Sequence, residues 1–142
     1  MRELVQRVIA AVSAFPDVSA APHRFGGVEF SLGKVEVGHI HVGNGMVDIP
    51  YPRRIRDVLI AEGLAQEHHL LHDSGWITTF VRTDADFERI VSLYHLSYVQ
   101  KRFRRRADRE SDTYQAAVEA LPFSDAVKAT LQPAQSTDED VE

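Results

Sequence analysis

Apolar residues recur at Leu4, Val5, Val8, Ile9, Val12 and Phe15, in steps of one, three and four that lay a stripe along one side of a helix. Pro16 forbids continuation, so this helix is expected to end near Ala14, followed by a loop through Pro22. The period then changes. Segments 28–32, 35–42 and 46–51 are short, rich in β-branched residues and separated by glycine, which predicts three strands of an antiparallel meander. Pro52 ends the third strand, and Ile55, Val58 and Leu59 restore helical spacing up to a C-cap at Gly63. Residues 65–74 read as a loop or irregular strand, and Gly75 introduces a strand at 76–81. Phe87, Ile90, Val91, Tyr94 and Tyr98 mark a long helix that starts near Asp84 to Asp86, where acids suit the helix dipole, and continues into the basic strip that begins at Lys101. Two short helices are expected around Tyr114 to Leu121 and around Val127 to Leu131.

This order of elements predicts a single α+β domain, with an antiparallel sheet of four to five strands flanked by helices. Its expected parts are an N-terminal helix and loop (1–22), an α+β core (23–106), a helical extension (107–132) and a disordered acidic tail (133–142).

Gly43-Asn44-Gly45 is the strongest turn signal, because Asn44-Gly45 suits a type I′ turn that needs positive φ at both central residues. Counting outward from that pair sets Val42 against Val47 and His41 against Asp48. Shifting the turn by one residue sets His39 there instead. On a regular strand Val35, Val37, His39 and His41 share a face, so either register gives that face a histidine beside a carboxylate. Glu36 falls on the opposite face unless a bulge intervenes.

Composition narrows the chemistry. The 142 residues contain no cysteine, which excludes disulfides, thiolate nucleophiles and cysteine-held metals, and leaves any metal to His, Asp and Glu. No apolar run approaches a membrane span, and Glu3 and Arg7 interrupt the first apolar stretch, so a soluble, cytoplasmic protein without a membrane partner is expected. The net charge of -5 conceals a basic strip from Lys101 to Arg109 and an acidic end at Asp138 to Glu142. That strip holds one aromatic, Phe103, and so lacks the stacking platform of a single-strand nucleic-acid binder. Binding of nucleic acid or protein through Lys101 to Arg109 is the alternative function class. Oligomeric state is not legible.

Five of seven histidines lie between Glu36 and Trp76, as His39-Ile40-His41 and His68-His69-Leu70-Leu71-His72. Histidine acts as a base, an acid or a metal ligand near neutral pH, so the cluster is the candidate site. His39 and His41 on one strand face, with Asp48 orienting a ring, have the arrangement of an oriented general base. Trp76 is a candidate to stack on a planar ligand and Arg56 to receive an anionic group, with His68 and His72 as further candidate ligand contacts nearer the loop surface. Metal binding is the rival use: HxH on a strand with a distant His or Asp supplies the three protein ligands of an open site, His39, His41 and His69 being the candidate set. No cofactor is favoured, and a divalent metal is the rival.

The runs GGVEF (26–30), EVGHIH (36–41), DIPYP (48–52), RDVLIAEGLA (56–65) and HH before DSGW resemble the luciferase-domain family. The resemblance spans about residues 26–98. It implies an uncharacterised relative of fungal luciferase, an enzyme that oxidises a hydroxylated pyrone with molecular oxygen. Glu36, His39, His41, His69 and Trp76 match positions of that enzyme, which has a histidine near the place of Asp48. The order of Gly33-Lys34, a helix, Trp76 and Ser97-Tyr98 is similar, more faintly, to small YjbR-like proteins, and implies only a sheet flanked by helices. The expectation is therefore a cofactor-independent enzyme or binder of a small planar or hydroxylated molecule. His41 or His39 removes a proton, Asp48 fixes the tautomer and His69 steadies the anion, ahead of reaction with oxygen.

Overall fold

The computed structural model describes residues 1–23 and 26–132. Among them five α-helices accompany one six-stranded antiparallel sheet, in strand order β1-β2-β3-β4-β6-β5. The strands are β1 (Val18–His23), β2 (Gly27–Leu32), β3 (Val35–His41), β4 (Met46–Pro50), β5 (Gln66–Glu67) and β6 (Trp76–Phe80). The helices are α1 (Arg2–Ser13), α2 (Arg53–Ala61), α3 (Asp84–Arg102), α4 (Asp112–Glu119) and α5 (Asp125–Ala129). None of the helices is long and apolar enough to cross a membrane. The α+β class is as the sequence predicts, with two strands more than its three-strand meander and β6 account for.

Both extra strands are edges. β1 replaces the expected loop before Pro22; it is mostly exposed, and Pro22 is tolerated because an edge strand has one unpaired side. β5 is two residues long and pairs only with β6.

α1 and α3 pack on one sheet face. Val5, Val8 and Val12 meet Ile90, Leu93 and Leu96 in a core that takes in Phe30, Val37, Ile40, Val47, Ile49 and Ile77 from the strands. Burying side chains of this size is worth about 1.5–3 kcal/mol each, so this layer fixes the sheet. α3 begins with a capping box, Asp86 accepting from the Thr83 backbone N–H. It continues into the basic strip as predicted, but only by two residues, to Arg102: Lys101 is buried and donates to the Pro50 carbonyl, Arg102 pairs with Asp17 at 3.0 Å, and Arg104 to Arg106 lie in irregular chain. The basic strip is thus divided and presents no continuous helical face. The acidic tail lies outside the described residues.

Tyr94 and Ser97 of α3 donate to the carbonyls of His39 and Val37, so the helix holds β3 by its backbone and leaves its polar side chains on the other face.

Candidate functional site

Register alone assembles the centre of the site. Glu29 pairs with His39, His39 with Asp48, Asp48 with Thr78 and Thr78 with Gln66, giving a polar row across five strands on the face away from α3. The pairing is the alternative that puts His39, not His41, opposite Asp48. The reason is the turn: Gly45 N–H bonds the His41 carbonyl, Asn44 Oδ1 caps Met46 N–H, and among described residues only Gly45 of the Asn44-Gly45 pair has positive φ. A four-residue loop therefore replaces the type I′ pair.

A bulge makes a second change. Phe30 pairs with Gly38 but Ser31 with Glu36, so Val37 is the extra residue of β3. Val37 consequently turns into the core, away from His39 and His41, instead of sharing their face as a regular strand requires. Glu36 moves to the histidine side, and its Oε2 lies 2.6 Å from His39 Nδ1.

Asp48, 1% exposed, is the hub. Its Oδ2 faces His39 Nε2 at 3.3 Å and His41 Nε2 at 3.2 Å. Its Oδ1 accepts from Thr78 Oγ1 at 2.7 Å and lies 3.6 Å from both His68 Nε2 and His69 Nδ1. Burial opposes ionisation of Asp48, but hydrogen bonds from His39 and Thr78 overcome it and hold the carboxyl at about 2. Burial likewise opposes charge on His39, and the hydrogen bonds to Asp48 and Glu36 outweigh it, raising the imidazole to about 9. A histidine charged at neutral pH between two carboxylates is a poor proton acceptor there.

His68 is more central than a surface-loop residue. It is buried, and its Nδ1 accepts from the backbone N–H groups of Leu70 and Leu71 at 3.1 and 3.0 Å. That fixes the neutral tautomer with the proton on Nε2, facing Asp48. Burial pushes its pKa down, in keeping with a neutral ring. His69 is the outer member, with 39% of its side chain exposed; its Nδ1 is 3.4 Å from Thr78 Oγ1, and its backbone N–H bonds the same hydroxyl. Trp76 borders the cluster, 5.5 Å from the His39 ring and 5.8 Å from that of His68.

Two of the proposed contacts stand apart from Asp48. His72 turns to the His69 carbonyl at 3.2 Å, and Arg56 bonds the His72 carbonyl at 2.6 Å while pairing with Asp57 and Glu67, so both brace the 68–75 loop.

Sequence reasoning missed two members. His23, on β1, stacks on His39 with ring centres 4.2 Å apart; Gly27, paired with both His23 and His41, leaves the space between them. Thr78 was legible only once β6 was aligned with β4. A cation has two candidate donor sets here, His39-His41-Asp48 and Asp48-His68-His69, each with ligand atoms within 4.8 Å of one another.

With this geometry in place, the comparison with known families is specific: the family model described as luciferase domain matches residues 34–97, from just before β3 into α3. No curated protein and no solved structure matches the chain.

Proposed function

We propose, with residues 34–97 forming a luciferase domain as the premise, that this protein binds a small planar, hydroxylated organic molecule beside Trp76 and takes up its hydroxyl proton at His69. The observation that carries this reading is the position of His69: it is the exposed histidine of the cluster, and its Nδ1 side is backed by Thr78 and the buried carboxylate of Asp48. With Nδ1–H directed at those oxygens, Nε2 carries the lone pair, which is the orientation that a carboxylate gives a general base. His39 and His41 lie deeper, each with Nε2 committed to Asp48. In this reading His39 holds Asp48 ionised, and neither ring meets the substrate. Trp76 supplies an aromatic wall for a flat ring.

The test is titration with a hydroxypyrone as the probe, at a pH below the pKa of its hydroxyl, followed by ultraviolet absorption, which separates the neutral probe from its anion. Wild-type protein is expected to bind it with a proton transferred to the protein. His69→Ala is expected to bind at least tenfold more weakly without that transfer. Equal affinity and an equal signal of the bound anion in the variant contradict the assignment.

A further inference from the structure

Asp48 uses its two oxygens differently. Oδ1 is satisfied by Thr78 and faced by the Nε2–H of His68, whereas Oδ2 meets two imidazole nitrogens at once. We propose that His39 Nε2, His41 Nε2 and Asp48 Oδ2 form a site for a first-row divalent transition-metal ion, with Glu36 as its supporting carboxylate. The proposal goes beyond the acid–base role of His69, which rests on the Oδ1 side, and does not depend on it.

Spacing is the first argument. Ligands at about 2.0–2.2 Å from a tetrahedral ion lie about 3.3–3.6 Å from one another. The two nitrogens stand 3.3 and 3.2 Å from Oδ2, close to that spacing, and all three ligand atoms lie within 4.8 Å of one another.

Proton placement is the second. Glu36 is only an acceptor when ionised, so His39 Nδ1, 2.6 Å away, carries a hydrogen. The Nε2 lone pair of the neutral ring then points at Asp48, which is the arrangement of a carboxylate–histidine–metal triad. Either a second proton or a cation must separate that lone pair from the carboxylate. A divalent ion does so for His39 and His41 together.

The same reasoning rejects the other donor set. His68 Nδ1 accepts two backbone N–H bonds, which leaves a hydrogen on Nε2 where a ligand needs a lone pair. It also replaces His69 by Asp48 in the set that the sequence suggests. Two imidazoles and one carboxylate from adjacent strands leave coordination positions open, and this mixed donor set favours Fe(II), Zn(II), Co(II) or Mn(II) over all-oxygen ions such as Ca(II). His23 stacked on His39 closes one side of the ring.

The experiment is a Co(II) titration of the full chain after treatment with a chelator, followed by visible absorption and competition with Zn(II). One equivalent per chain, with d–d bands lost on adding Zn(II), is the expected result. His41→Ala and Asp48→Asn should each weaken binding at least a hundredfold, and Glu36→Gln about 10–100-fold. His69→Ala should leave affinity unchanged, which separates failure of this site from failure of the acid–base reading. Circular dichroism confirms that each variant is folded, and His41→Asn serves if His41→Ala is not. Absence of the bands in wild-type protein, or their persistence in a folded His41 variant, overturns the proposal.

Discussion

Glu36 and His39 are three residues apart on one strand, yet Glu36 Oε2 reaches His39 Nδ1 at 2.6 Å, because the bulge at Val37 brings both to the same side of the sheet. The contact is one of two that hold His39 charged. Glu36→Gln removes the anion and keeps the shape. NMR titration of His39 in the metal-free chain should show its pKa falling from about 9 by about one unit or more, in the range typical of a lost neighbouring charge. An unchanged value means that Asp48 alone sets the charge.

Gly38 makes the bulge tolerable. Its φ of +156° lies in a region that L side chains rarely adopt, and a Cβ there would stand 2.9 Å from Tyr94 Cε1 and 3.1 Å from the Asp48 carbonyl oxygen. Gly38→Ala is expected to cost about 1–3 kcal/mol in urea unfolding, from crowding and strain together. The histidine signals should shift with it, because His39 follows directly on the strand.

Asp48→Ala leaves His39 buried beside Glu36 alone and strips Thr78 of its acceptor. Removing one partner of a buried pair typically costs about 3–5 kcal/mol, so denaturant unfolding should show a loss of that order. A loss no larger than for an exposed ion pair, below about 1 kcal/mol, places Asp48 outside the structural centre.

Stability should depend on pH through the same groups. His39 is raised from 6.5 to about 9, so its contribution is complete below pH 6.5 and is lost as pH climbs through about 9. Asp48 is lowered from 3.8 to about 2, so its contribution is complete above pH 4 and is lost as pH falls through about 2. Burial of His68 and His95 lowers their pKa values and works in the opposite sense below pH 6.5. The informative quantity is therefore wild type minus His39→Asn, which should fall by on the order of 2–3 kcal/mol between pH 6 and pH 10. A difference that stays flat over that interval contradicts a raised His39.

Much of the frame was legible. The 3.6-residue stripe from Leu4 to Val12 is buried against α3, and the run from 28 to 50 folds as the predicted meander. His39, His41 and Asp48 do meet. What the sequence hid were features set by partners and not by local pattern. Val18–His23 has few β-branched residues and pairs only because β2 offers an edge, so neither this strand nor the place of His23 beside His39 shows in the local pattern. A bulge has no period of its own, and it reversed the faces of Val37 and Glu36. His68 is indistinguishable from His69 in a loop sequence; the Leu70 and Leu71 amides that turn it inward belong to the folded backbone.

The central claim is that His39 is held charged by the buried carboxylate of Asp48 with Glu36 beside it, while the Leu70 and Leu71 amides hold His68 neutral, and long-range proton–nitrogen NMR of the imidazoles tests it most directly. In metal-free wild-type protein at pH 7, with signals assigned by single His→Gln variants, the account predicts a doubly protonated His39 and a neutral His68 with its proton on Nε2, and loss of the charged His39 state in Asp48→Asn. A neutral His39, a His68 protonated on Nδ1, or the same pattern in Asp48→Asn contradicts it.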